Sequence, residues 1–142
     1  MGIFRNMDIS AAGLRAQRLR MDVIAENIAN AEATRTPEGG PYRRREVILE
    51  AGSGDWRKTR QGLQGETAGV SVAGVVADPS PPQTVYDPSH PDADANGYVA
   101  LPNVSVPLEM VDMLSATRAY EANSAAFRAG RDIEKSALDL LK

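Results

Sequence analysis

Asp92, Asp94 and Asn96 set oxygen-bearing side chains at alternate positions, and Gly97 follows them. A calcium loop opens in this way, because a hard cation needs several oxygens and the chain must bend sharply to bring them round. The pattern fails at its far end. The twelfth position is Asn103, where a bidentate Glu belongs, and prolines on both sides forbid the flanking helices. A tight Asx/Gly turn with no metal is therefore the expectation. His90 lies in the same loop as the chain's single histidine, and there are no cysteines, so a transition metal would find no second soft ligand. Asp87, His90 and Asp92 are the only set resembling catalytic machinery. No nucleophile, phosphate cradle or base–orienter pair accompanies them, so no catalytic, cofactor-binding or metal-binding residue is expected. Arg43-Arg44-Arg45 is a short basic run in a chain of net charge -3. It falls short of a nucleic-acid footprint and reads as a solvated strand end or a salt-bridge cluster facing a partner.

The remaining polar groups with a pointed placement are the amides of Asn27 and Asn30, one helical turn apart. Asn disfavours a helix interior unless its amide is used. A C-terminal cap would explain the pair, and so would an amide that fixes register between packed helices. The helix positioning them is marked by Ile3, Met7, Leu14, Met21, Ile24, Ile28 and Ala31 at coiled-coil spacing, interrupted by Ser10 and Gln17. A second stripe of Ile9, Ala12, Ala16, Leu19 and Val23 requires neighbours on two sides. Asn6 or Asp8 would cap its start, its end falls near Asn30 to Glu32, and Thr36-Pro37 with Gly39-Gly40-Pro41 stops it.

With 142 residues the chain has room for one ordinary domain. Aromatic residues make up only 5%, so the apolar weight lies in Ala, Val, Leu, Ile and Met. Residues 1–60 hold 11 Lys/Arg against 8 Asp/Glu, and residues 61–142 hold 5 against 11. The opposite signs favour contact between the halves or between copies, weakly and subject to screening by salt. No apolar run approaches a membrane span, and no cleaved signal peptide is read at the N-terminus.

Val47-Ile48-Leu49 reads as a short strand and Val70 to Val76 as a second, made irregular by Gly74. Between them residues 51–68, with Trp56, read as a loop or mobile insert. From Asp78 onward the prolines at 79, 81, 82, 88, 91, 102 and 107 predict an extended course across a surface. Ser105 can cap the last helix, and Pro107 is tolerated in its first turn. Its apolar or small stripe is Leu108, Val111, Ser115, Ala119, Ala122, Ala126, Ala129, Ile133, Ala137 and Leu140. Met110, Met113, Tyr120 and Phe127 make a bulkier flank. So long a helix must pair with the N-terminal helix, with other copies, or with both.

Several segments together resemble the axial rod and hook proteins of the bacterial flagellum. They are Asn27-Ile28-Ala29-Asn30-Ala31, Met7-Asp8-Ile9-Ser10-Ala11 and Gln17 to Ile24, with Gly40-Pro41-Tyr42-Arg43-Arg44 following. Tyr86-Asp87-Pro88-Ser89-His90-Pro91, Gly97-Tyr98-Val99, Pro102-Asn103-Val104, Glu109 to Met113 and Arg118 to Asn123 continue the likeness. The Asp-Pro-Ser-His-Pro and Pro-Asn-Val segments make it similar to the proximal rod proteins in particular. The likeness thins between Ala51 and Ala77, and Glu32-Ala33 departs from the family's more polar continuation.

The resemblance implies a mainly α protein with a small β or extended middle region, its long terminal helices pairing as a coiled-coil-like bundle in the assembled rod. Three parts follow: an N-terminal axial helix over 1–35, a Pro/Gly-rich middle over 36–103 and a C-terminal axial helix over 104–142. It implies a non-enzymatic subunit of the periplasmic rod, the drive shaft from motor to hook, exported by the flagellar secretion apparatus without a cleaved leader. Its partners would be other rod proteins, copies of itself, the export apparatus and a rod-base adaptor, with no nucleic acid and no membrane span. The assembly interface would use Met7, Leu14, Met21, Ile24, Asn27, Ile28, Asn30, Leu108, Val111, Ala119, Tyr120, Ala122, Asn123, Ala126 and Ile133. Within it, Leu14, Met21, Ile24 and Ile28 are expected to bury against Ala119, Ala122, Ala126 and Ile133. Another rod subunit, a rod-base adaptor and a free coiled-coil adaptor are the alternatives.

Overall fold

The computed structural model describes residues 2–52 and 69–140. The reading of 51–68 as a loop, including Trp56, lies outside the described residues from position 53 on. Helix α1 runs Gly2–Ala29 and helix α2 runs Val106–Asp139, about 42 and 51 Å long at 1.5 Å per residue. They pack antiparallel: Asn27 meets Glu109, Met21 meets Thr117 and Gly13 meets Asn123. The early start of α1 corrects the expected cap at Asn6 or Asp8. Residues 3–7 contain no helix breaker, so the turn continues upstream through both candidate caps. Its end agrees with the reading, and the N–H of Asn30 still reaches Glu26 O at 3.1 Å.

Gly39 and Gly40 both have positive φ, 92° and 76°, which lets the chain reverse tightly after α1. The reversal returns the N–H of Tyr42 to the carbonyl of Ala33 at 2.9 Å and launches β1, Arg45–Ala51. Strand β1 pairs antiparallel with β2, Val70–Ala77. The ladder matches Ile48 with Gly74 and Leu49 with Val72, so Ala73 is extra and bulges beside the glycine. This is the irregularity expected at Gly74.

The proline-rich segment holds more order than an extended course. Strands β3, Gln83–Tyr86, and β4, Tyr98–Leu101, form a second antiparallel pair with Val85 opposite Val99. The prolines flank these two windows and do not enter them, so the backbone donors of the ladder are intact. Both are edge strands, the position compatible with such neighbours.

Ser105 occupies the N-cap of α2, yet its side chain makes no capping bond, which corrects the expected role of its hydroxyl. Its carbonyl accepts the Glu109 N–H at 3.0 Å, and Pro107 sits in the first turn. Among the described residues the buried apolar set is small: Ala16, Val23, Ile24, Tyr42, Val99, Val104 and Ala116. Polar groups hold the junction of the two helices.

Candidate assembly interface

Asn27 is 1% exposed, and both ends of its amide are used. Its Nδ2 donates to Arg45 O at 2.9 Å and to Glu109 Oε2 at 3.0 Å. Its Oδ1 accepts from the Tyr42 hydroxyl and from the Arg45 N–H, both at 2.9 Å. Two of these bonds are with the backbone of Arg45, so the amide mimics a strand partner and docks the start of β1 on α1. Asn30 behaves differently. Its Nδ2 donates to Glu26 O at 2.9 Å, a bond inside its own helix. The register reading holds for Asn27, and the local reading holds for Asn30.

Glu109 has no exposed surface, and Arg44 Nε donates to its Oε1 at 2.5 Å. A buried carboxylate without such a partner would be strongly destabilising. Its place in the first turn of α2 also complements the helix dipole. Arg44 lies close to Glu46 as well, and 3.8 Å from Asp78 and 3.6 Å from Asp112. Burial opposes the Arg44 charge, but the bonds to Glu109 and Glu46 outweigh it and raise its pKa. The backbone N–H of Arg44 donates to Asn103 Oδ1 at 2.8 Å, tying the Pro-Asn-Val segment to the same junction. Two members of the basic run at 43–45 are thus tied into salt bridges within the chain. Arg44 turns to Glu109, and Arg45 pairs with Glu26 at 3.0 Å.

Along α2, the residues turned inward are Glu109, Met113, Ala116, Tyr120, Asn123, Phe127, Gly130 and Glu134, each buried or half-buried. Their spacing alternates four and three, a seven-residue repeat. The face expected to pair is turned away. Ala122 and Ala126 are exposed and Ile133 is 57% exposed, so within the chain Leu14, Met21, Ile24 and Ile28 do not bury against them. The physical reason is the Glu109 node: the carboxylate held by Asn27 and Arg44 faces the junction, and the Ala-rich stripe lies on another side of α2. Of the expected interface, Met7, Leu14, Met21, Ile24, Asn27, Ile28, Asn30, Ala119, Tyr120 and Asn123 are buried or half-buried within the chain. Leu108, Val111, Ala122, Ala126 and Ile133 are open on its outside, and Leu108 and Val111 are each 65% exposed.

The Asp92 loop is a turn. Thr34 Oγ1 donates to Asp92 Oδ2 at 2.8 Å and Arg35 pairs with Oδ1 at 2.6 Å, joining the loop to the end of α1. Asp94 Oδ1 accepts the N–H groups of Asn96 and Tyr98, and Gly97 takes φ 81°. His90 Nδ1 accepts the Asp92 N–H at 3.1 Å. The Ser89 hydroxyl and N–H hold the Asp87 carboxyl below its usual range. Asp87 and Asp94 are committed to partners within the loop, and Asp92 to Thr34 and Arg35.

Glu109, Arg44 and Tyr42 were not among the expected interface residues. Two acids inside the apolar opening of α2, Glu109 and Asp112, are the available signal.

Two family descriptions match this helical frame. Residues 7–35 match "Flagella basal body rod protein", and residues 95–140 match "Flagellar basal body rod FlgEFG protein C-terminal". Both ends of the chain therefore carry axial rod sequence. Full-length relatives narrow the class. The chain is 45% identical over 151 aligned positions to the flagellar basal-body rod protein FlgC of Borreliella burgdorferi, covering 100% of this chain and 99% of that one. It is 41% identical to the FlgC of Bacillus subtilis, with 100% of both covered, and 41% identical to that of Salmonella typhimurium, with 87% and 86% covered. The chain belongs to the FlgC family of flagellar basal-body rod proteins.

Proposed function

We propose that this chain is a structural, non-enzymatic subunit of the proximal flagellar rod, the shaft that carries torque from motor to hook. The observation that carries the reading is the bare outer face of α2. Leu108, Val111, Ala122, Ala126, Ala129, Ile133 and Leu140 run along the outside of an otherwise paired helix. An apolar stripe rimmed by charge marks a protein contact surface, and its small central residues let a neighbouring helix approach closely. Neighbouring rod proteins and further copies of this chain are the partners. Head-to-tail contacts of such a surface generate an open helical assembly in which the terminal helices pack as a coiled-coil-like wall.

The chain divides for this task into the axial helix segments 1–35 and 104–142 and a middle layer over 36–103. Export through the flagellar secretion apparatus without a cleaved leader, a periplasmic location and contact with a rod-base adaptor complete the proposal. Among the described residues no helix is long and apolar enough to cross a membrane.

Ala126→Asp tests the reading, because Ala126 is exposed and the substitution should leave chain stability within about 0.5 kcal/mol. In a motility assay with electron microscopy of basal bodies, Ala126→Asp should block rod formation while the purified chain melts as the parent does. Normal rods in that strain would remove the outer stripe from the interface.

A further inference from the structure

Two glycines on the facing sides of α1 and α2 are each occupied by a side chain from the opposite helix. A Cβ on Gly13 would lie 2.6 Å from Asn123 Oδ1 and 2.9 Å from Asn123 Cγ. A Cβ on Gly130 would lie 3.1 Å from Met7 Cγ. A hydrogen bond from Asn123 Nδ2 to Ala119 O at 2.8 Å favours this placement of the side chain. The exchange is reciprocal: α1 supplies a knob at Met7 and a notch at Gly13, and α2 supplies a knob at Asn123 and a notch at Gly130.

One such contact would leave a helix free to pivot. Two of them, about 10 Å apart along α2 at 1.5 Å per residue, fix both its translation and its rotation. A slip of one turn, about 5.4 Å, would press both knobs against turns that carry side chains. The pin matters because α2 carries a second apolar face. The inward repeat of α2 mixes Met113, Ala116, Tyr120 and Phe127 with Glu109, Asn123, Gly130 and Glu134, whereas the outward stripe is almost wholly apolar or small. Apolar burial is thus available on either face and does not by itself fix the rotation.

We infer that Met7–Gly130 and Gly13–Asn123 form a two-point register pin that holds α2 with its apolar stripe outward. The pin is a property of the single chain. Its use, keeping the assembly surface presented, rests on the reading proposed above.

The chain has no native cysteine, so disulfide trapping in the full-length protein is clean. With Met7→Cys and Gly130→Cys, the new sulfur takes the place of a Cγ already 3.1 Å from the opposing Cβ position, within disulfide reach. This pair should close at least about tenfold faster than Met7→Cys with Ile133→Cys, whose second position faces outward. Gly13→Leu added to both pairs should bring that ratio to about twofold or less. Because Gly13→Leu could unfold the chain, Gly13→Ala provides the second test. Alone it should lower the ratio, and combined with Asn123→Ala, which empties the notch, it should restore it. Equal closure of the two pairs in the glycine-bearing chain, or a ratio indifferent to Gly13, overturns the pin. Trapping is read on the purified protein, so a pin that holds in a chain absent from the rod would defeat the assembly reading alone.

Discussion

Replacing Arg44 with Met would remove the cation from the most buried ionised group of the junction while keeping much of its apolar stem. The Glu109 side chain is 1% exposed and that of Arg44 is 20% exposed, so their contact is screened little by solvent. Glu46 is half exposed at 49%, and its pair with Arg44 contributes about 1 kcal/mol at most. Asp78 and Asp112 are more distant and add less. The loss therefore comes from Glu109, left with the Asn27 amide as its remaining hydrogen-bond donor, and breaking a buried pair in this way costs about 3–5 kcal/mol. Urea unfolding followed by circular dichroism should show that loss, and the melting temperature should fall by roughly 10–20 °C. Arg44→Met combined with Glu109→Leu removes both charges and should recover most of the deficit, since apolar replacement of a buried pair is often neutral. A loss below about 1 kcal/mol in the single variant, or a double variant no better than it, would refute the node as the anchor of α2.

Three further outcomes follow from the same contacts. Asn27→Ala leaves the Tyr42 hydroxyl, the Arg45 N–H and Glu109 each short of a partner and should cost about 2–4 kcal/mol, whereas Asn30→Ala should cost about 0.5 kcal/mol; denaturant titration compares them. Gln17 Oε1 is buried without a hydrogen-bond partner among the described residues, so Gln17→Leu at this seam position should stabilise the chain by about 1 kcal/mol in the same assay. Burial, reinforced by Glu26 and Glu109 and opposed by Arg45, raises the Tyr42 pKa above its ordinary 10.0. The phenol's contribution is thus complete below pH 10.0 and lost as pH rises through the folded-state value, so alkaline melting curves should fall more steeply for the parent than for Tyr42→Phe.

The two helices were legible because a three-and-four apolar spacing survives any tertiary context, and the bulge in β2 was legible because glycine marks it. The face that α2 turns inward was legible only in part, through the bulky flank of Met113, Tyr120 and Phe127. Ranking faces by apolarity selects Leu108 to Leu140, but the buried repeat opens on Glu109, whose neutralising Arg44 is 65 residues distant in the chain. Gly13 and Gly130 read as weak points of a helix until the knob that fills each is known. Asn27 and Asn30 are alike in type and local pattern. Only the arrival of Tyr42, Arg45 and Glu109 gives the first a long-range role and leaves the second to its own helix. The β3–β4 ladder was obscured by prolines that flank its strands without entering them. The Asp92 loop went the other way: the missing twelfth ligand already argued for the turn that is found.

The most direct test of the account is mass spectrometry of purified hook–basal bodies from the source organism, beside electron microscopy of a strain lacking this gene. The account predicts the chain in the particle, and basal bodies without rods in the deletion strain. Absence from the particle together with intact rods would contradict it.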